Sequence, residues 1–542
     1  MPAAAEEKTL NAFSGVWNDL LERVFPRRKL LAEIRSRWGQ SGPGKAWRAS
    51  AYFDLVRGSA ADADVDDKTW FDLEFPEIFA RFDTTITPLG RQYLFCMMRT
   101  YVEDPQLLAE RYHGAQALRA DHALRERFQL ALSALRDGGY ADVVDVVFGE
   151  TLRAVKYPRW LLLWSAIGLL TLLGAIGSIL PVWAVFVTVA INVTIIIQTF
   201  AGVRRDSAAL KRCLALLPVA EAVARAGDDA SRFKSVAQLR AQRPERQQVA
   251  QKLRGFSLFQ KEAVQWVSIW FNITFLLELV AYARVLKHLA EVRAVLQSTW
   301  VLLGEIDASI ALACALECSP KHCLPELSLT PLIDIEDGCH PLLAQPSPNS
   351  LRLDRRSALI AGSNMAGKTT LIKMVGSNII IGRTLGFCLA SRAVIPQSTV
   401  MASIRREHSV ESGKSHYFGE IERLQTFIDY ARQQRCRVFV IDELFSGTNT
   451  IERIAIARAV LEQLGMEAQV LVTTHDVELQ QDLAGNYDLY HFQENPDIEG
   501  FFDYRLRPGA AVERNAIRLL GRVGFPAGIV ARAMSLAASR SN

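Results

Sequence analysis

Residues 357–370 read SALIAGSNMAGKTT, and this stretch decides the fold of the C-terminal part of the chain. SALIA is typical of a buried strand, and the following GSNMAGKT matches the phosphate-loop pattern GxxxxGK[ST]. A helical pattern continues from Thr370 to Ile381. Backbone N–H groups of such a loop, together with the positive end of the helix dipole, bind phosphate. The sequence therefore predicts a nucleotide-binding loop between a strand and a helix.

The predicted nucleotide-binding residues are consecutive in the chain: Gly362, Ser363, Asn364, Met365, Ala366, Gly367, Lys368, Thr369 and Thr370. In this type of loop the lysine, here Lys368, neutralises the β and γ phosphate oxygens. The hydroxyl of Thr369 is expected to be a ligand of Mg²⁺. The predicted cofactors are accordingly ATP and Mg²⁺.

Polar side chains follow two further apolar runs, at the points where strands are expected to end. RVFVI at 437–441 is followed by Asp442 and Glu443, and QVLVT at 469–473 by Thr474 and His475. We expect Asp442 to hold Mg²⁺, Glu443 to orient or deprotonate the attacking water, and His475 to sense the γ-phosphate. Three strand ends in this order predict an enzyme that hydrolyses ATP to ADP and phosphate.

A long uncharged stretch lies earlier in the chain. From Trp160 to Val203 there is no charged residue, and a Gly- and Pro-containing turn near Pro181 divides the stretch. Each half is long enough to cross the ~30 Å hydrocarbon core, so a transmembrane hairpin is predicted, with helices at about 160–180 and 182–203. A deeply buried helical pair is the alternative. The segment Ala263–Leu277 is shorter and favours a buried or interfacial helix.

Positive charges flank the predicted hairpin on both sides: Arg153, Lys156 and Arg159 before it, and Arg204, Arg205, Lys211 and Arg212 after it. Positive flanks are typical of cytoplasmic ends. We therefore expect a cytoplasmic-membrane protein with two spans, whose termini and ATPase domain face the cytoplasm. A basic run at 232–254 favours a solvated helix face, with DNA phosphates or lipid headgroups as alternative contacts. The net charge of +4 decides nothing further.

The C-terminal motifs resemble those of the MutS family of DNA mismatch-repair ATPases. The pair Asn364-Met365 in the phosphate loop, DGCHP at 337–341 and DELFSGTNT at 442–450 carry this resemblance. SGKSHYFGEI at 412–421 resembles the family's signature segment, which reaches across a dimer. By that resemblance Ser415 is a catalytic residue that contacts ATP of the partner subunit, and the protein is a homodimer through its ATPase domains.

The resemblance extends upstream of the ATPase domain. DTTITPLG at 83–90 resembles the start of the MutS core domain, and GEID at 304–307 its final lever helix. We expect no counterpart of the family's N-terminal mismatch reader, since fewer than eighty residues precede the core. FPE at 75–77 fits the reader's short motif, but it lies beside the core with no domain to present it.

The expected fold class combines an α/β P-loop NTPase domain of the ABC/MutS type with a preceding all-α core and lever domain that contains the hairpin. The predicted domains are an N-terminal helical segment at 1–77, the core and lever at 78–330, and the ATPase domain at 331–542. The leading functional hypothesis is a membrane-anchored, dimeric MutS-like ATPase that controls binding of mismatched or structured DNA. The alternative is a membrane-bound switch that acts on a protein partner, and an ATP-driven transporter is a third class.

Overall fold

The computed structural model describes residues 26–42, 48–56, 64–149, 158–227, 233–252, 276, 280, 282, 283, 285, 286, 288–363, 366–404, 416–434, 438–445, 449–494, 502–510 and 524–539. The chain divides into two compact units. The helical unit comprises Met1–Ser59, Phe82–Cys96 and Gly114–Cys318, and the sheet unit comprises Ala60–Arg81, Met97–His113 and Ser319–Asn542. This division differs from the predicted domain boundaries, because residues 60–81 and 97–113 pack with the C-terminal residues.

Helices dominate the described residues before Glu326, as the predicted all-α region requires; the rest are turns, irregular residues and the partners of two isolated bridges, Asp64–Thr100 and Cys323–Cys388. In chain order the α-helices are α1 Pro26–Arg37, α2 Ala51–Val56, α3 Asp67–Asp72, α4 Phe75–Phe82, α5 Pro88–Arg99, α6 Pro105–Ala120, α7 His122–Leu132, α8 Val143–Phe148, α9 Pro158–Ile176, α10 Trp183–Ala226, α11 Lys234–Ala241, α12 Arg243–Lys252, α13 Leu289–Glu317, α14 Lys368–Leu385, α15 His416–Arg432, α16 Thr450–Glu467, α17 Val477–Leu483 and α18 Ala527–Ser539.

The sheet unit contains two β-sheets. Its strands are β1 Glu326–Ser328, β2 Leu332–Gly338, β3 Asn349–Asp354, β4 Ser357–Ala361, β5 Arg392–Pro396, β6 Val400–Ser403, β7 Val438–Asp442, β8 Gln469–Thr474, β9 Tyr487–Glu494 and β10 Phe502–Pro508. The smaller sheet has the order β1-β5-β2-β3, and the larger β10-β9-β4-β8-β7-β6. The predicted α/β architecture of the C-terminal part is therefore confirmed.

The larger sheet is parallel from β9 to β6. Every residue of β4 and β8 is buried, as expected for strands covered on both faces. In the register, Ala361 lies beside Thr474, and Asp442 beside Thr473. The carboxyl ends of β4, β7 and β8 consequently meet at one edge of the sheet, where ligands bind in open α/β folds.

Side chains from the N-terminal part of the sheet unit cover the edge strand β6. Three outward N–H groups donate to them: Val400 to Tyr101 Oη (3.2 Å), Ala402 to Thr69 Oγ1 (2.9 Å) and Ile404 to Asp72 Oδ2 (2.9 Å). An uncovered row of such groups is a template for pairing with another strand. The segment around α3 thus satisfies the edge of the sheet.

In the helical unit, the side chain of Asp307 holds the start of α5. It is fully buried on α13 and accepts hydrogen bonds from Ile86 N (3.1 Å), Thr87 N (2.8 Å) and Thr87 Oγ1 (2.6 Å). A Cβ atom on Gly90 would lie 2.3 Å from Asp307 Oδ2, so the close approach requires glycine. The two upstream segments that resemble MutS, 83–90 and 304–307, are therefore in direct contact. Burial raises the pKa of Asp307 to about 6.

The predicted transmembrane hairpin forms two helices, but they differ in length from the prediction. Helix α9 ends at Ile176, and α10 continues to Ala226, well past the predicted end at 203. In the part of the chain that the structure describes, one helical stretch has the length and composition to cross a membrane: Ala290–Glu317, whose most apolar window is 83% buried inside the protein. The apolar parts of the hairpin, Leu163–Ile176 and Trp183–Ile195, are shorter. By length and composition, the two predicted membrane spans are therefore not supported. The segment Ala263–Leu277, predicted to be a buried or interfacial helix, lies outside the described residues except for Leu276.

We predict that Gly90→Ala destabilises the protein by about 1–3 kcal/mol, because its methyl group overlaps the Asp307 carboxylate. Gly114→Ala is the matched control, since a Cβ atom there meets its nearest neighbour, Phe233, at an ordinary 3.6 Å. Thermal unfolding of both variants in detergent checks this. Equal melting temperatures would contradict the contact.

We also predict a pH-dependent contribution of Asp307 to stability. Its pKa is about 6 in the folded protein, against an ordinary value of about 4 in the unfolded chain. The stability that this proton contributes is present below pH ~4 and is lost as the pH rises through ~6. Asp307→Asn does not titrate, so the free energy of unfolding of the wild type minus that of the variant should fall between pH 4 and 6. Urea unfolding at a series of pH values measures it, and a constant difference refutes the assignment.

Candidate nucleotide-binding site

The phosphate loop runs from the buried strand β4 into α14. Gly362 has a φ of +144°, and a Cβ atom there would lie 3.0 Å from the carbonyl oxygen of Phe492. Gly367, immediately before the helix, has a φ of +100°. Both positions favour glycine, because L side chains rarely adopt this conformation. The chain can therefore turn sharply enough to direct backbone N–H groups at a ligand.

Lys368 lies buried beneath this loop. Its Nζ donates a hydrogen bond to the carbonyl oxygen of Gly362 (2.6 Å) and lies 3.6 Å from Glu443 Oε1. Burial lowers the pKa of the Lys368 ammonium, and the Glu443 carboxylate opposes that shift. The hydroxyl oxygen of Ser363 is also buried and has no hydrogen-bond partner among the described atoms. A buried cation and an unpaired hydroxyl in one glycine-rich loop fit a phosphate-bearing ligand.

Asp442 connects the phosphate loop to the two neighbouring strand ends. The Thr369 hydroxyl donates to the Asp442 carboxylate (2.9 Å to Oδ2), and the Thr473 hydroxyl donates to Oδ1 (2.5 Å). Burial raises the pKa of Asp442 despite these hydrogen bonds. A divalent cation offsets the cost of burying this charge, and carboxylate and hydroxyl oxygens are ligands that Mg²⁺ accepts. Thr369 and Asp442 thus fit a magnesium site.

Glu443 lies between the Lys368 ammonium and the His475 imidazole. His475 Nδ1 is 3.5 Å from Glu443 Oε1, and Lys368 Nζ approaches the same oxygen. Hydrogen bonding to His475 lowers the pKa of Glu443, and Lys368 lowers it further. The same hydrogen bond raises the pKa of His475. Near neutral pH Glu443 is therefore an ionised carboxylate, as a residue that orients or deprotonates water requires.

Two further contacts fix the backbone around Glu443 and His475. Glu443 N donates to Thr473 Oγ1 (3.2 Å), so one hydroxyl contacts both acidic residues of the site. Arg453 Nη2 donates to Asp476 Oδ1 (2.7 Å), in a pair that is mostly buried. The turn after β8 is thereby held in place.

The structure brings five of the predicted site residues together: Lys368, Thr369, Asp442, Glu443 and His475. Ala366 is buried in the loop, and Thr370 is exposed on the first turn of α14. Asn364, Met365 and Ser415 lie outside the described residues. The roles assigned to all of these residues stay predictions.

Two residues with contacts at the site, Thr473 and Glu420, were not predicted from the sequence. Thr473 is the last but one residue of β8, next to Thr474, so its place near a strand end was the available signal. Glu420 was quoted within the signature segment without a role, yet its Oε1 accepts a hydrogen bond from Phe445 N (2.6 Å). Nothing in the local sequence indicates that contact.

Residues 358–540 match the family model described as MutS domain V. The DNA mismatch repair protein MutS of Natronomonas pharaonis is 30% identical over 273 residues, which cover 48% of this chain and 31% of that protein. DNA mismatch repair protein MutS 2 of Halobacterium salinarum is 27% identical over 272 residues, which cover 48% of this chain and 31% of that protein. Endonuclease MutS2 of Thermus thermophilus is 31% identical over 203 residues, which cover 36% of this chain and 27% of that protein.

The matched region thus spans no more than 31% of the length of these relatives. The family match at 358–540 includes the phosphate loop from Gly362, the acidic pair Asp442 and Glu443, and His475. Over residues 358–540 the chain is similar to MutS domain V.

Proposed function

We propose that this protein is a MutS-like ATPase that binds ATP with Mg²⁺ and hydrolyses it. One observation carries the proposal: the side chains of Lys368, Thr369, Asp442, Glu443 and His475 converge where β4, β7 and β8 end. The sequence positions are far apart, and a structural salt bridge alone would not require a phosphate loop beside it. The relatives' names and the domain match point to the same class of enzyme.

In the proposed reaction each residue acts on a stated atom. Lys368 leaves the carbonyl oxygen of Gly362 and binds phosphate oxygens, while Thr369 and Asp442 hold Mg²⁺. When bound, Mg²⁺ would neutralise part of the negative charge on the phosphates. Glu443 accepts a hydrogen bond or the proton from the attacking water, and the His475 imidazole keeps that carboxylate in place and ionised.

We predict that Lys368→Ala abolishes ATP binding, whereas Glu443→Gln binds ATP and hydrolyses it slower by a factor of about 10² or more. The glutamine side chain keeps the shape of glutamate but cannot accept a proton. Glu478→Gln, an exposed acid on α17, is the matched control and should leave both properties unchanged. Nucleotide binding by fluorescence and single-turnover hydrolysis measure the two effects. Unchanged turnover in Glu443→Gln removes Glu443 from the proposed role.

We propose further that the active form is a homodimer in which Ser415 contacts ATP of the partner subunit. The support is the resemblance of residues 412–421 to the family's signature segment. In that arrangement a mixed dimer carries Ser415→Ala and Lys368→Ala in the same composite site, and its other site is intact. Mixing the two inactive variants should therefore restore part of the ATPase activity. A mixture that stays inactive, although it forms mixed dimers, contradicts action across the dimer.

We also propose that the hairpin of α9 and α10 anchors the protein in the cytoplasmic membrane, with the ATPase domain and both termini in the cytoplasm. Large apolar side chains point outward along both helices and the turn between them: Trp160, Leu163, Leu170, Ile176, Ile179 and Phe186 are 62–82% exposed. The polar pair of the hairpin faces inward, since Trp164 Nε1 donates to the buried Asn192 Oδ1 (2.6 Å). Apolar surface outside and polar contacts inside are what lipid favours. The described apolar parts are short, so this support comes from exposure and charge pattern rather than from length.

Replacing Leu163, Leu170 and Phe186 together with arginine should release the protein from membranes, because each arginine costs about 2.5–3.5 kcal/mol in the hydrocarbon core. The matched control replaces three apolar residues of the sheet unit that are at least as exposed, Leu329, Ile451 and Met466, with arginine. Extraction of membranes with alkaline carbonate checks this: the arginine variant should be released, and the control should stay with the membranes. Wild-type protein that is itself extracted by carbonate refutes the anchor.

DNA, mismatched or branched, is the first candidate for what the ATPase controls, because relatives are named DNA mismatch repair proteins. A second candidate is a protein partner, because the basic side chains at 232–254 that motivated DNA binding have contacts within the protein itself. Arg240 donates to the carbonyl oxygens of Ala224 (3.0 Å) and Gly227 (2.5 Å), and Arg243 pairs with Glu221 (2.9 Å). Arg246 is buried, and Lys252 pairs with Glu291. The run that motivated DNA binding thus has internal contacts at four of its positions.

The ATPase rate of protein in lipid nanodiscs, with and without homoduplex, mismatched and branched DNA, separates these candidates. A DNA-controlled enzyme should be stimulated by one of them in a salt-sensitive manner. No binding or stimulation at low salt discards DNA. The protein-partner proposal then requires partners that persist after nuclease treatment and depend on Glu443.

A further inference from the structure

The turn that carries Glu443 has an unusual backbone. Glu443 and Phe445 have φ values of +48° and +54°, a left-handed conformation that side chains other than glycine rarely adopt. Such a conformation persists only where surrounding contacts hold it. The side chain of Phe445 is buried, and its N–H group points at α15.

Two side-chain contacts from outside the turn hold this backbone. Thr473 Oγ1 accepts a hydrogen bond from Glu443 N, at 3.2 Å. Glu420 Oε1 accepts one from Phe445 N, at 2.6 Å. Glu420 therefore provides the shorter of these two anchors.

Helix α15, which bears Glu420, is itself fixed to the sheet. Arg423 donates to the carbonyl oxygen of Ala402 through Nε (3.1 Å) and Nη2 (3.0 Å), and its Nη2 also contacts Asp66 (2.9 Å). One turn further along, Phe427 stacks on Phe439 of β7 with ring centres 4.6 Å apart. Glu420 thus projects from a rigid support, as a residue that determines backbone geometry must.

We propose that Glu420 is a positioning residue for ATP hydrolysis: it holds the Phe445 N–H group and so fixes the turn that places the Glu443 carboxylate. The inference rests on the proposed ATPase function. It predicts that the acceptor oxygen and its reach matter, while the negative charge does not. A small displacement of a catalytic group lowers the rate of the chemical step without changing the affinity for ATP.

Three substitutions separate reach from charge. Glu420→Gln keeps an acceptor oxygen at the same distance and should retain a kcat within about threefold of wild type. Glu420→Ala removes the acceptor, and Glu420→Asp keeps the charge but is shorter by one methylene. Both should lower kcat by about tenfold or more, with the KM for ATP within about twofold. Asp429→Asn, an exposed acid on the same helix, is the matched control and should behave as wild type.

The outcomes are distinct. The inference is overturned if Glu420→Ala and Glu420→Asp hydrolyse ATP normally, if Glu420→Gln is as slow as Glu420→Ala, or if the loss lies in KM. Melting temperatures accompany the kinetics, and the contrast between the aspartate and glutamine variants decides the matter should the alanine variant not fold. Wild-type protein that hydrolyses no ATP refutes the proposed function itself, whereas normal turnover in the aspartate variant refutes only the role of Glu420.

Discussion

The carboxylate of Asp442 is the interaction on which the rest of the site depends. It accepts hydrogen bonds from the hydroxyl groups of Thr369, at the start of α14, and Thr473, at the end of β8. Asp442 itself ends β7, so one side chain joins three elements that are separated in sequence. Burial of this charge is costly, and the two hydroxyl groups reduce that cost. The parallel register of the sheet is what brings the three elements within reach.

The sequence predicted the local parts of this arrangement well. Strand, glycine-rich loop and helix are specified by residues that are adjacent in the chain, and the acidic pair and His475 each follow a buried apolar run. Contacts between distant residues were not predictable in the same way. The bond from Phe445 to Glu420 depends on how α15 packs on β7, and no periodicity or motif encodes that packing.

The same distinction between local patterns and distant contacts applies to the basic run in the helical unit. Arg240, Arg243 and Lys252 form a basic run in the sequence, and a run of charge is compatible with solvent, lipid or DNA. Their partners lie on α10 and α13, or at the carboxyl end of α10, and become visible only when the helices are packed. The segments 83–90 and 304–307 are a different case. Gly90 has no side chain, so the buried Asp307 carboxylate can approach it closely, although more than two hundred residues of chain separate the two.

The covered edge of β6 has a consequence for how the sheet unit can be isolated. Its N–H groups are bonded by Thr69, Asp72 and Tyr101, which precede the phosphate loop by well over two hundred residues. A shortened polypeptide that starts at the family match would lose these partners and present bare β6 to solvent. Such a fragment is expected to self-associate through strand addition. The candidate nucleotide-binding site and residues 64–81 and 97–113 are in this sense a single folding unit, although the family match begins only at residue 358.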